Sequence, residues 1–291
     1  MQLGKLLEEV YIACGLQVLR RKATGGSTTT VVDSAYTNKR GDNYYAQGAN
    51  GGHILFVSET TDGLAPQGQF GEISAFVNSG GPTFTVPTMT AVAGSGDIYS
   101  VMKPVIQLYE MIARINEGLR RLGEQDRANT TLTGLADTLA YTLPSGINAT
   151  NIKKIEIGSD DPDYPWRDAP GFSIQPIAAG TGDQLLFTAQ PPYDSTTPAN
   201  YTIKITYHGP HPTLSTYSDY VEKSISDELA IAVCAESAWE YLMQKRPASY
   251  GDKTKIAQYQ AIQARSQQAQ IMYPIRSKPG SAQRRFHFGE L

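Results

Sequence analysis

Between Tyr201 and Leu242 the chain reads YTIKITYHGPHPTLSTYSDYVEKSISDELAIAVCAESAWEYL, and its apolar spacing changes partway along. Tyr201, Ile203, Ile205 and Tyr207 alternate with Thr202, Lys204 and Thr206. That period of two gives a β-strand one apolar and one polar face. Beyond the prolines Pro210 and Pro212, Ser226 stands before Asp227 and Glu228, an N-cap residue ahead of an acidic first turn. Leu229, Ile231, Ala232, Ala235, Trp239 and Leu242 then repeat at helical spacing as far as Lys245-Arg246-Pro247. A strand that hands over to a capped amphipathic helix predicts an α+β chain.

Both periods recur upstream. Leu3, Leu6, Leu7, Val10, Ile12 and Leu16 predict an amphipathic helix over Leu3–Leu19, with Glu8 and Glu9 on its other side. Arg20-Arg21-Lys22 stops it, and Thr24-Gly25-Gly26-Ser27 reads as a turn. Short β-prone runs follow at Thr28–Val32, His53–Ser58, Glu72–Val77, Thr83–Met89 and Asp97–Val101, separated by Gly-, Asn- and Pro-rich turns, the rhythm of a small barrel or sandwich. Pro104 then suits a helix start, an apolar stripe predicts helix over Val105–Leu122, and Gly123 suits its C-terminal cap. This helix is expected to pair with the first. A second strand series is predicted at Thr138–Leu143, Ile152–Ile157, Phe172–Ile177, Gln184–Thr188 and Tyr201–Tyr207.

After the helix that Ser226 caps, Asp252 suits the cap of another, running to Ile271. Ile256, Ile262 and Ile271 are its few large aliphatics among many Gln, too polar a composition to bury one whole face in its own domain. The fold expected is therefore amphipathic helices framing two antiparallel β-modules, with an extended C-terminal arm. The expected divisions are 1–123 (a helix pair with a β-module inserted at about 28–102), 124–212 (a sandwich-like module), 213–272 (helices) and 273–291 (the arm).

The totals agree with β-rich modules. The chain has 291 residues, enough for two modules, and only 18% are charged, against roughly 25% in an ordinary domain. Turn formers are plentiful, with 27 Gly and 17 Pro. A net charge of -3 argues against a protein that wraps nucleic acid by neutralising phosphates, so any DNA contact is expected to be local. Cys14 and Cys234 fall within apolar helical patterns and read as buried hydrophobes. No secretory signal or membrane-length apolar run is recognisable, which predicts a soluble protein made in a reducing cytoplasm.

Motifs that would carry chemistry are missing or incomplete. The sequence has no GxxxxGK[ST], GxGxxG, GxSxG or HExxH pattern. Gly94-Ser95-Gly96-Asp97 precedes a strand-like run and reads as a turn. His208 and His211 have a spacing compatible with one metal, but no third ligand stands nearby, so they read as a strand exit. Asp160, Asp161, Asp163 and Asp168 cluster without the glycine-centred spacing of a calcium loop and read as an exposed acidic turn. Tyr164 and Trp166 beside them leave open a sugar-stacking alternative. No catalytic residue, metal ligand or cofactor is expected. The tail residues Arg276, Lys278, Arg284, Arg285, Phe286 and Phe288 read as an arm that docks on another protein, with phosphate contact as the alternative.

Several stretches together resemble the head-to-tail connector, or adaptor, proteins of tailed bacteriophages: LGKLLEEV, ATGGSTTTVVD, GDIYSVMKPV, RINEGLRRLG, TLPSGINATNIKKIEIGS, TIKITYHGPHP and SDELAIAVCAESAWEYL. The likeness spans nearly the whole chain. It implies a non-enzymatic virion structural protein, made in the host cytoplasm and residing at the neck. Copies would close into a homo-oligomeric ring, commonly a dodecamer, between the portal protein and the tail or neck protein. Double-stranded DNA would pass through without sequence-specific binding. Residues 28–102 would then be an insertion relative to compact adaptors. The competing readings are a carbohydrate-binding or fibre-attachment protein of the virion and, behind it, a hydrolase using the Asp160–Asp168 loop.

Overall fold

The computed structural model describes residues 1–37, 40–46, 52–134, 138–158, 165–169, 171–177, 182–189, 202–245 and 253–273. The fold is α+β, with four helices and four antiparallel sheets among these residues. The chain divides into two compact units, Met1–Leu122 with His211–Pro274, and Gly123–Pro210. The expected arm beyond Tyr273, including Arg276, Lys278, Arg284, Arg285, Phe286 and Phe288, lies outside the described residues, as does the expected cap Asp252.

Helix α1 spans Leu3–Ala13, six residues shorter than its apolar spacing predicts. Gly15 ends it. At φ +69° it adopts the left-handed conformation open to glycine, its N–H donates to Ile12 O (2.8 Å), and the Leu16 N–H donates to Tyr11 O (3.0 Å). The chain then runs straight into strand β1, Gln17–Lys22, so Leu16 and Leu19 continue a helical spacing by coincidence. Leu19 packs instead on the β-module core.

In the first unit one sheet has the order β1-β8-β4-β5, with β4 at Ile54–Glu59, β5 at Phe70–Glu72 and β8 at Ile98–Met102. A second has the order β2-β3-β7-β6, with β2 at Gly25–Gly26, β3 at Thr30–Val32, β6 at Ala75–Val77 and β7 at Thr83–Thr85. The predicted run Glu72–Val77 is two strands: β5 pairs with β4, and the chain turns a corner at Ile73-Ser74 so that β6 pairs with β7. The run predicted at Thr83–Met89 ends at Thr85, because Pro87 has no N–H for a ladder. Leu55, Val57, Tyr99 and Val101 of the first sheet meet Val31, Phe76 and Phe84 of the second in one core. Ile54 and Phe56 point the other way, where Tyr11 of α1 lies against Phe56 at 5.9 Å between ring centroids. Strand β4 is buried on both faces for this reason, and its ILFV run is continuous rather than alternating.

Helix α2 (Leu108–Arg120), α3 (Asp227–Lys245) and α4 (Lys253–Met272) complete the unit. Pro104, Val105 and Ile106 form a turn rather than the first turn of α2, which starts three residues later than predicted. At its other end Gly123, at φ +81°, turns the chain away. Ser226 caps α3 as the sequence suggests, its Oγ accepting from the Leu229 N–H at 3.2 Å. Helices α1 and α2 both pack chiefly against α3 and only marginally against each other, which corrects the expected pairing. Helix α3 is the hub because it is buried almost all round and rich in alanine, allowing close approach. The tightest approach is at Gly118, where an added Cβ would lie 2.9 Å from Cys234 Cα and Val233 O.

The second unit is a sandwich. A sheet β12-β11-β15-β9 comprises Arg167–Asp168, Ile152–Gly158, Thr202–Gly209 and Gln125–Thr133, and a sheet β10-β14-β13 comprises Ala140–Thr142, Asp183–Phe187 and Phe172–Pro176. Ile155, Ile157, Ile203, Ile205, Leu185, Phe187 and Tyr141 form their shared core. Strand β9 is absent from the sequence reading because QDRANTTLT offers one large aliphatic, Leu132, to announce a face.

Candidate assembly surfaces

The residues with chemical potential are mostly engaged in holding the fold. Glu8 is buried and accepts hydrogen bonds from Ser58 Oγ and Ser100 Oγ, both 2.6 Å, tying α1 to β4 and β8. Asp33, fully buried, accepts from Arg21 Nε (2.7 Å) and Tyr99 OH (2.9 Å). Burial, followed by the Asp33 charge, pushes the Tyr99 phenol upward, so it stays a neutral donor. Burial raises the Cys14 thiol to about 12 and raises Cys234 as well, which leaves both thiols inert. They are free and buried, as their apolar setting suggests.

His211 spends both ring nitrogens on backbone: Nδ1 contacts Pro212 O at 2.7 Å, and Nε2 accepts from the Glu222 N–H at 3.1 Å. His208 Nδ1 sits 3.2 Å from Asp126 across the β15–β9 pair. Each histidine thus has a structural partner, and among the described residues no group of three or more His, Cys, Asp or Glu could hold a metal ion. Gly94–Asp97 forms the expected turn, closed by Asp97 Oδ2 accepting from the Gly94 N–H at 2.7 Å. Of the acidic cluster, Asp160, Asp161 and Asp163 lie outside the described residues, with Tyr164; Asp168 pairs with Lys154 at 3.1 Å. The Trp166 ring carries the Lys204 ammonium 5.0 Å from its centroid, so that face is occupied.

Among the described residues of the first unit, α2 and α4 carry surface that their own packing leaves exposed. A groove of about 820 Å³ runs along α2, lined by Tyr109, Ile112, Arg114, Glu117 and Arg120 of the helix and by the buried Leu214 opposite. Tyr109 is 69% exposed. At the groove's floor the Asn116 amide bridges Leu214 in both directions, donating to the carbonyl at 2.9 Å and accepting from the N–H at 2.8 Å. Arg121 spans Glu117 and Glu240 at 2.8 and 2.6 Å, fixing the groove's end to α3. Beside it Tyr241 donates to Glu110.

Helix α4 is the second open surface. Across twenty residues it buries Ser266 and Ala269, with Tyr259 OH reaching Glu240 at 3.2 Å and Lys255 stacked near Trp239. It ends in three consecutive exposed apolar residues, Ile271, Met272 and Tyr273. The partial packing is what its Gln-rich sequence suggests; the α2 groove was invisible there, since its wall at Thr213–Ser215 is nearly a hundred residues from α2 in sequence. No helix among the described residues is long and apolar enough to cross a membrane. No protein-family model and no curated protein matches the chain.

Proposed function

We propose that this chain is a head-to-tail connector subunit of a tailed-bacteriophage particle, acting by assembly rather than catalysis. Copies close into a ring, a dodecamer as the resemblance implies, seated between the portal protein and the tail or neck protein, with double-stranded DNA passing through. The observation that supports this most is helix surface left exposed among the described residues of the first unit: a groove along α2 and an α4 whose end is apolar and exposed. Tyr109, 69% exposed, and the consecutive exposed Ile271, Met272 and Tyr273 are apolar side chains that a partner would cover. A groove at one place and an exposed apolar helix end at another suit a head-to-tail contact, which closes into a ring when the rotation permits. The segment 273–291, with Arg276, Lys278, Arg284, Arg285, Phe286 and Phe288, supplies the arm that docks on the portal. An arm that orders on docking meets its entropy cost at assembly, so incorporation waits for a formed portal surface.

Deletion of Tyr273–Leu291 tests the reading. The truncated chain is expected to melt at an unchanged temperature yet fail to join portal-bearing particles; normal incorporation would overturn the arm's role. Labelled protein located by particle imaging anywhere other than the neck would overturn the connector reading itself.

A further inference from the structure

Charge is segregated along this chain. Residues 253–291 hold seven of its 25 Lys and Arg but one of its 28 Asp and Glu, a net +6 within a chain of net -3, so the remainder is net -9. Helix α4 opens that basic stretch and contains no carboxylate at all. Its inward stripe, Ile256, Tyr259, Ile262, Ser266 and Ala269, is at least half-buried, while Lys253, Gln258, Gln260, Arg265, Gln267 and Gln268 are exposed. Neither Lys253 nor Arg265 pairs with a carboxylate among the described residues.

The chemistry of that face selects its occupant. Its sign calls for a polyanion. Its glutamine amides donate hydrogen bonds that suit phosphate oxygens and carry no sequence code. From Lys253 to Gln270 the exposed side offers no large apolar side chain, whereas the core of a protein–protein interface is apolar and aromatic and depleted in Lys. A twenty-residue helix is about 30 Å long, enough to follow one backbone across a groove. We propose that the exposed face of α4 contacts the phosphodiester backbone of duplex DNA, through Lys253, Arg265 and the glutamine amides, without reading sequence. This rests on the connector reading for the presence of DNA. A few charges per copy bind weakly alone, and repetition around a ring multiplies the contact while leaving each one fast to break.

The test is fluorescence anisotropy of a labelled 30-base-pair duplex with the full-length chain, between 50 and 200 mM salt. Wild type is expected to bind two unrelated sequences equally. K253Q/R265Q, which alters two exposed side chains, is expected to lower the log–log salt slope by about two and weaken binding at 50 mM salt at least tenfold. No binding by wild type, or an unchanged slope in the variant, would overturn the proposal. So would a variant that loses self-association in sedimentation while keeping its DNA affinity, which would assign the face to a second copy. Native mass spectrometry separates the two readings: a ring that ignores DNA sinks this inference alone, and DNA binding by a chain that never forms a ring sinks the connector.

Discussion

Cys14 and Cys234 show how burial decides chemistry at the scale of single residues. With the Cys14 thiol raised to about 12 and Cys234 raised too, neither forms thiolate near neutrality, and both are expected to resist iodoacetamide in the folded chain and react at once in denaturant. Asp219 is the opposite case. Its carboxylate accepts from the Thr216 and Ser215 N–H groups and is held down to about 2, while its own carbonyl accepts from the Leu3 N–H at 2.7 Å. A depressed acid stabilises the fold above its unfolded value near 4 and loses that contribution as pH falls through about 2. Acid titration of stability should therefore be steeper between pH 4 and 2 in wild type than in Asp219→Asn, by roughly 1 kcal/mol or less because the group is well solvated. Gly118 is a steric case: an alanine methyl would meet the α3 backbone, which cannot swing aside. Gly118→Ala is expected to cost about 1–3 kcal/mol in chemical denaturation.

The elements depend on a few terminators. Gly15 converts what would be a five-turn helix into a three-turn helix followed by a strand, and the β1–β8 ladder from Gln17↔Met102 to Lys22↔Ile98 depends on that stop. Valine at this position must hold a left-handed conformation that its branched Cβ resists, so Gly15→Val is expected to destabilise by about 1–3 kcal/mol with α-helix content by circular dichroism unchanged or higher. At α3 the stop signal has a counterpart in the start: removing the Ser226 hydroxyl by Ser226→Ala should cost about 1 kcal/mol, seen as a lowered denaturation midpoint.

At the scale of the whole molecule, the second unit is an excursion from the first. The β9–β15 register pairs Gln125 with Gly209, so the chain enters and leaves the sandwich at adjacent positions. Its core draws on its own two sheets, and Asn116 with Leu214 closes the first unit where the excursion departs. A fragment of residues 123–210 is accordingly expected to fold alone and give a cooperative melt; a fragment that stays unfolded would show that its core is insufficient without the rest.

The sequence by itself determined the α+β class, most of the strands, the Ser226 cap and the sparse packing of α4, because each is written in local periodicity or in a capping side chain. Tertiary structure alone decided the rest. Whether Leu19 belongs to helix or strand turned on a backbone angle at Gly15; β9 exists because β15 offers it a ladder, not because its own residues demand one; and α3 became the hub through small side chains that periodicity counts as neutral. The α2 groove needed Leu214 brought against Asn116. Long-range packing energy is what makes such choices, and it has no local signature.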